Sequence, residues 1–103
     1  MRRGAVPEPE FTLMEVLVQC DCCDYFSIPG GHDYEICPVC FWEQDAFGVS
    51  DPDASSCANH GLSLHEGREN FIAFGACAAS FTNKVASVSA RRAYHHVARL
   101  IQR

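Results

Sequence analysis

Four cysteines stand at a spacing that can hold a metal ion. The clusters Cys20-Asp21-Cys22-Cys23 and Cys37-Pro38-Val39-Cys40, taken through the outer pair of the first, read C-x2-C-x13-C-x2-C. Each C-x2-C turn can aim two sulfurs at one point while nearby backbone amides soften the thiolate charge. Two such turns, joined by strands across the intervening loop, would place Cys20, Cys23, Cys37 and Cys40 at the corners of a tetrahedron. That soft donor set fits Zn2+, with iron as the competitor because it accepts the same four sulfurs. Four thiolates leave no open position for water, so the metal is expected to contribute folding energy and not to activate a nucleophile. Cys22 is the surplus thiol. It reads as a neighbour locked by the turn, with a redox role or replacement of Cys23 as ligand as the alternatives.

The remaining reactive side chains form no catalytic pattern. Cys77 reads as a small buried hydrophobe and Cys57, in a polar loop, as an incidental thiol. Phe41 and Trp42 directly follow the fourth ligand and read as core that shields the metal, with an aromatic binding surface as the alternative. Glu43 and Asp45 read as a solvated acidic patch. His60, His65, His95 and His96 show no ligand spacing, and cysteine–histidine catalysis needs the two groups within hydrogen-bond reach. A G-x-S-x-G elbow, a H-E-x-x-H motif and a phosphate-binding G-x-x-x-x-G-K-[ST] loop are all absent from the sequence. A non-enzymatic protein is expected.

The elements that must position the cysteines are short. Residues 11–20, FTLMEVLVQC, alternate as a strand would. A second short strand is expected around Tyr25 to Ile28, a turn at Pro29-Gly30-Gly31, and a returning strand around Tyr34 to Ile36. Ser63 and Glu66 stand in capping-box relation at the start of a helix, with Leu64, Phe71 and Phe74 at helical spacing and Gly75 placed to end it. Gly67 weakens that helix by about 1 kcal/mol relative to alanine. A second helix is expected over 82–101, with Ala86, Ala90, Ala93, Val97 and Leu100 in one apolar stripe and Arg92, His96, Arg99 and Arg103 in a basic one. The expected fold is α+β: a small knuckle hairpin of zinc-ribbon or rubredoxin-like kind, one short helix and a C-terminal amphipathic helix.

The chain of 103 residues suffices for one domain. Residues 1–10 read as a flexible lead-in and 11–103 as a single metal-stapled domain, with 78–103 as a basic helical extension. No apolar run is long enough to span a membrane, and prolines and glutamates occupy the place where a signal peptide needs its hydrophobic segment. A cytoplasmic location is expected, where seven cysteines suggest metal ligation before disulfides. The net charge of -5 is divided. All thirteen acidic residues and three basic ones lie in residues 1–83, while 84–103 hold five basic residues and no acid. The acidic body disfavours nucleic acid and suggests a protein partner. Glu43, Asp45, Asp51, Asp53, Trp42, Arg92 and Arg99 are the candidate partner-binding residues.

The run CDCCDYFSIPGGHDYEICPVCFWEQD, followed by DPDASSCANHGLSLHEGRENFIAFGAC, resembles the bacterial cysteine-rich CPCC domain family from Val18 to Cys77. By that resemblance Cys20, Cys22 and Cys23 match the CPCC element and Cys37 and Cys40 the ICPVC element. Asn59, Ser63, Asn70, Phe71, Gly75 and Cys77 match the downstream signature. The resemblance implies a cysteine-rich, metal-binding domain. Small acidic bacterial proteins of this size include immunity proteins that plug a cognate toxin, so a toxin is one candidate partner. Nucleic-acid regulation through the basic helix and electron transfer through iron or Cys22 are the alternatives. Asp21 stands where the family usually has proline, Asp24 where it has glycine, and Gly67 where alanine is commoner. The first two departures predict a looser first knuckle and add negative charge to a zinc tetrathiolate that already carries -2.

Overall fold

The computed structural model describes residues 17–29, 35–45 and 51–100. The expected lead-in, most of the first strand, the Gly30-Gly31 turn, Tyr34 and Arg103 lie outside them. Strand β1 (Leu17–Gln19) pairs antiparallel with β2 (Phe26–Pro29), Val18 opposite Ile28, with an irregularity between Val18 and Gln19. The cysteine cluster occupies the turn of this hairpin. Cys20 N donates to Tyr25 O at 2.8 Å and Asp24 N to Cys20 O at 3.0 Å.

The second cluster repeats that construction four residues for four. Cys37 N donates to Trp42 O at 2.9 Å, Phe41 N donates to Cys37 O at 2.8 Å, and Ile36 bridges Glu43 across the base. Both turns need a left-handed residue immediately after the second cysteine, and Asp24 (φ 69°) and Phe41 (φ 72°) supply it. Aspartate tolerates that conformation. For phenylalanine it costs about 1–3 kcal/mol, which the contact of its ring with Phe81 (centroids 4.8 Å) helps to offset.

Helix α1 (Leu64–Phe74) begins and ends as the sequence requires. Glu66 N donates to Ser63 Oγ at 3.1 Å, Ser63 N donates to Glu66 Oε1 at 2.8 Å, and Gly75 (φ 78°) closes the last turn on Phe71 O. Leu64 and Gly67 face the core, but the expected stripe gives out at its far end, where Phe74 is half exposed. Among the described residues, six of the ten in the buried cluster are cysteines, and the other four are Ile28, Val39, Trp42 and Leu64. So small an apolar core makes a further source of cohesion valuable.

The α+β class holds, with short helices, but the expected helix over 82–101 does not form. A 3-10 stretch covers Ala79–Lys84, and α2 (Val88–Arg91) is one turn capped by Ser87. Beyond Tyr94 the chain runs extended, with His96 bridged to Tyr25. Tertiary partners outweigh helix propensity here. The stripe consisted mostly of alanines with little area to bury, whereas the extended chain gains hydrogen bonds along β2 and an ionic anchor for Arg99. Among the described residues no helix is long and apolar enough to cross a membrane.

Gly67 has a packing role that its propensity obscured. A Cβ there would lie 2.8 Å from the Trp42 ring and 3.3 Å from Cys22 Sγ. Gly67→Ala should therefore destabilise the protein by about 1–3 kcal/mol in urea unfolding, instead of giving the ~1 kcal/mol gain that helix propensity alone would bring. A gain would mean that Trp42 can move aside freely.

Candidate metal centre

The two knuckles face one another and bring Cys20, Cys23, Cys37 and Cys40 together, with all four Sγ atoms within 4.8 Å of one another. Cys20 and Cys40 Sγ are 3.6 Å apart, and Cys23 and Cys37 Sγ 3.7 Å. Four thiolates at about 2.3 Å from one ion, arranged tetrahedrally, would stand about 3.8 Å apart. The donor set therefore fits a metal ion of zinc or iron size. All four residues are buried. The first cluster contributes its outer pair, and Cys22, also buried, stays outside the converging set.

Such a set is electrostatically costly without a cation. Burial raises the Cys20 and Cys40 thiols well above their ordinary pKa. Cys37 goes the other way, because hydrogen bonds from Cys20, Cys23 and Cys40 stabilise its thiolate. Four thiolates side by side would repel one another, and a bound divalent cation would offset that repulsion. Local dipoles help at the second knuckle: Val39 N donates to Cys37 Sγ at 3.2 Å and Trp42 N to Cys40 Sγ at 3.4 Å. Ser27 Oγ lies 3.0 Å from Cys37 Sγ.

At the first knuckle the compensation comes from two arginines. Asp24 receives Arg68 through Nη1 (2.9 Å) and Nη2 (2.8 Å), and Arg99 through its backbone N and Nε, both at 2.8 Å. Burial works to raise the Asp24 pKa, but these donors outweigh it and hold the carboxyl below its usual value. Arg99 Nη2 also donates to Cys20 O at 2.9 Å, and Arg68 Nη1 donates to Asp21 O. At Asp21 the balance differs, since burial wins over nearby Arg99 and the carboxyl is raised. The expected loosening is therefore not found. This knuckle has the same turn hydrogen bonds as the second, and its aspartate is an anchor.

The signature residues outside the cluster are structural. Asn59 takes the place of a neighbouring strand, with Oδ1 accepting from Glu43 N at 2.7 Å and Nδ2 donating to Glu43 O at 2.8 Å. Asn70 Nδ2 donates to Cys77 O at 2.9 Å and fixes the turn after α1. Burial pushes the Cys77 thiol up to about 12, so it stays protonated. Cys57 is exposed.

The candidate partner-binding residues do not form one surface. Trp42 is 1% exposed and belongs to the core, which corrects its place among them. Arg99 is committed to Asp24 and corrects the same expectation, along with the continuous basic face on which Arg92, His96 and Arg99 were to stand. Asp45 accepts from Ser56 Oγ and Asp53 pairs with His65 Nδ1 at 2.9 Å. Glu43 is half-buried, and Asp51 and Arg92 are exposed. Arg68, Asp24 and Ser27 were missed, because no local spacing marks residues that meet only through the fold.

A pair of opposed cysteine knuckles with four converging sulfurs is consistent with a small domain of zinc-ribbon or rubredoxin-like type with a potential metal site. Its sequence matches the cysteine-rich CPCC family over residues 18–92, and the chain belongs to that family. The match extends past Cys77, the limit of the resemblance read from motifs, and takes in α2. No curated protein and no solved structure matches the chain.

Asp24→Asn keeps a residue that tolerates the left-handed conformation but removes the charge between two buried-facing arginines. It should cost about 2–4 kcal/mol in chemical denaturation of the metal-loaded protein. A loss below about 0.5 kcal/mol, the range of ordinary surface substitutions, would show that the ionic anchor adds nothing.

Proposed function

We propose that the protein is a non-catalytic protein-interaction module whose fold is stapled by one zinc ion on Cys20, Cys23, Cys37 and Cys40. The observation that carries this reading is the set of four buried sulfurs within 4.8 Å of one another, two pairs of them 3.6 and 3.7 Å apart. Zinc held there would supply folding free energy, and with four protein ligands it would have no position for a substrate. These residues would orient it, exclude water through Trp42 and Val39, and offset its charge through the amides and arginines around them. Reduced thiols also suit a cytoplasmic site of action.

Support for a protein partner comes from the surface. The body of the chain is acidic, and the large apolar side chains Ile72 and Leu100 are 86% and 83% exposed. An immunity-type protein that caps a cognate bacterial toxin is the particular version of this reading, supported by size and acidity. The nucleic-acid alternative loses its main support because the basic helix is not formed and Arg91 packs over the Phe71 ring at 5.1 Å.

Elemental analysis with a thiol count tests the staple. Freshly purified protein should carry one zinc per chain, with four thiols protected until a chelator is added under denaturing conditions. Cys22→Ser should retain the zinc, and Cys23→Ser should lose it together with most of the cooperative unfolding transition. One iron and a visible absorption band would replace the reading with electron transfer. Absence of metal, with oxidised cysteines, would remove it.

A further inference from the structure

After Tyr94 the chain returns across the first knuckle. Phe26 N donates to His95 O at 2.8 Å, His96 bridges Tyr25 in antiparallel sense, and Val97 N donates to Asp24 O at 3.3 Å. Gln19 Nε2 holds Val97 O at 2.7 Å. The segment then fastens. Arg99 grips both carboxylate oxygens of Asp24 and the carbonyl of Cys20, while Arg68 Nη2 donates to Arg99 O at 2.8 Å. These anchors lie on the β1–β2 hairpin that carries Cys20 and Cys23 at its turn, or on the helix side chain that supports it.

The attachment is polar. Val97 and Leu100 direct much of their apolar surface outward, so a few directional bonds carry the hold. Segments held in this way open at lower free energy than a packed core. Between this segment and α1 lies a cavity of about 230 Å³ whose lining includes Cys22, Cys23, Phe71, Ile72, His96 and Ala98. The segment is thus one wall of an opening that leads to the first-knuckle thiols.

We infer that residues 94–100 form a strap that sets how fast a metal ion can leave the four-cysteine cluster, and that the Asp24–Arg99 contact is its clasp. The inference rests on the metal reading given above. Release is ligand exchange: each metal–sulfur bond that breaks is replaced by a bond to a nitrogen or oxygen of the acceptor. The freed thiolate takes a proton from water, and no electron changes hands. With the strap down, the cavity beside it is an approach to Cys23 that the segment itself walls. With it up, the outer side of the knuckle is open and the Arg99 charge is withdrawn from the cluster. Arg99 is a positioning residue in this scheme, since it touches the knuckle backbone and Asp24 but none of the sulfurs.

Zinc transfer from the loaded full chain to the chelator 4-(2-pyridylazo)resorcinol tests the strap. Arg99→Gln should bind one zinc per chain and release it at least roughly tenfold faster than wild type, the factor expected for loss of a charge-assisted hydrogen bond. Its Phe26 and Val97 amides should exchange faster in D2O while the Asp24 and Phe41 amides, inside the knuckles, keep their protection. Arg92→Gln, at an exposed side chain outside the clasp, should match wild type in both respects. Equal transfer rates for Arg99→Gln and wild type, with one zinc in each, would overturn the strap and leave the metal reading intact. A wild-type protein that holds no metal would overturn both. Should Arg99→Gln fail to fold, wild type itself decides. Exchange of the Val97 amide well ahead of the knuckle amides supports a separately opening strap, and exchange in step with them contradicts it.

Discussion

Four sulfurs brought within 4.8 Å of one another in a dry interior are the constraint around which this chain is arranged. Thiols so placed resist ionising together, and four thiolates would repel, so a cation at the centre would stabilise the ionised set. The buried cluster is mostly cysteine, and the few large apolar residues pack around the sulfurs instead of forming a centre of their own. Both knuckles follow one backbone plan, down to the left-handed residue after the second cysteine. That repetition gives the site its approximate symmetry, with only the paired cysteines repeated among the side chains.

The symmetry ends at the solvation of the charge. The second knuckle relies on short dipoles close to the sulfurs, from Val39 N, Trp42 N and Ser27 Oγ. The first relies on full charges one step further out, with Asp24 ordering Arg68 from α1 and Arg99 from the C-terminal segment. A single residue therefore satisfies the turn by its backbone and joins two distant parts of the chain by its side chain. Helix, C-terminal segment and cysteine cluster are joined through it, which links the stability of the periphery to that of the centre.

Much of this was legible in the residues, and the exceptions share a cause. The C-x2-C spacing selected the four converging cysteines because the knuckle is a local structure fixed by a few consecutive residues. The ends of α1 were legible for the same reason, since capping box and glycine stop act within one turn. The C-terminal helix was misread because alanine spacing is compatible with a helix but commits little surface to one. What decides residues 94–100 is their pairing with β2 and Asp24, some seventy residues away in sequence. Gly67 was misjudged and Trp42, read first as core, explains it: the ring lies buried where the helix has no side chain. The acidic residue at Asp24 looked unfavourable only while the arginines that meet it were out of view.

The four converging sulfurs can hold a metal ion, and the proposal made above puts zinc there as the staple of the fold. X-ray absorption at the zinc edge, on protein purified under reducing conditions, tests that claim most directly. Four sulfur neighbours at about 2.3 Å, unchanged in Cys22→Ser, are the predicted result. Nitrogen or oxygen neighbours at about 2.0–2.1 Å, or a sulfur shell that Cys22→Ser depletes, would contradict it.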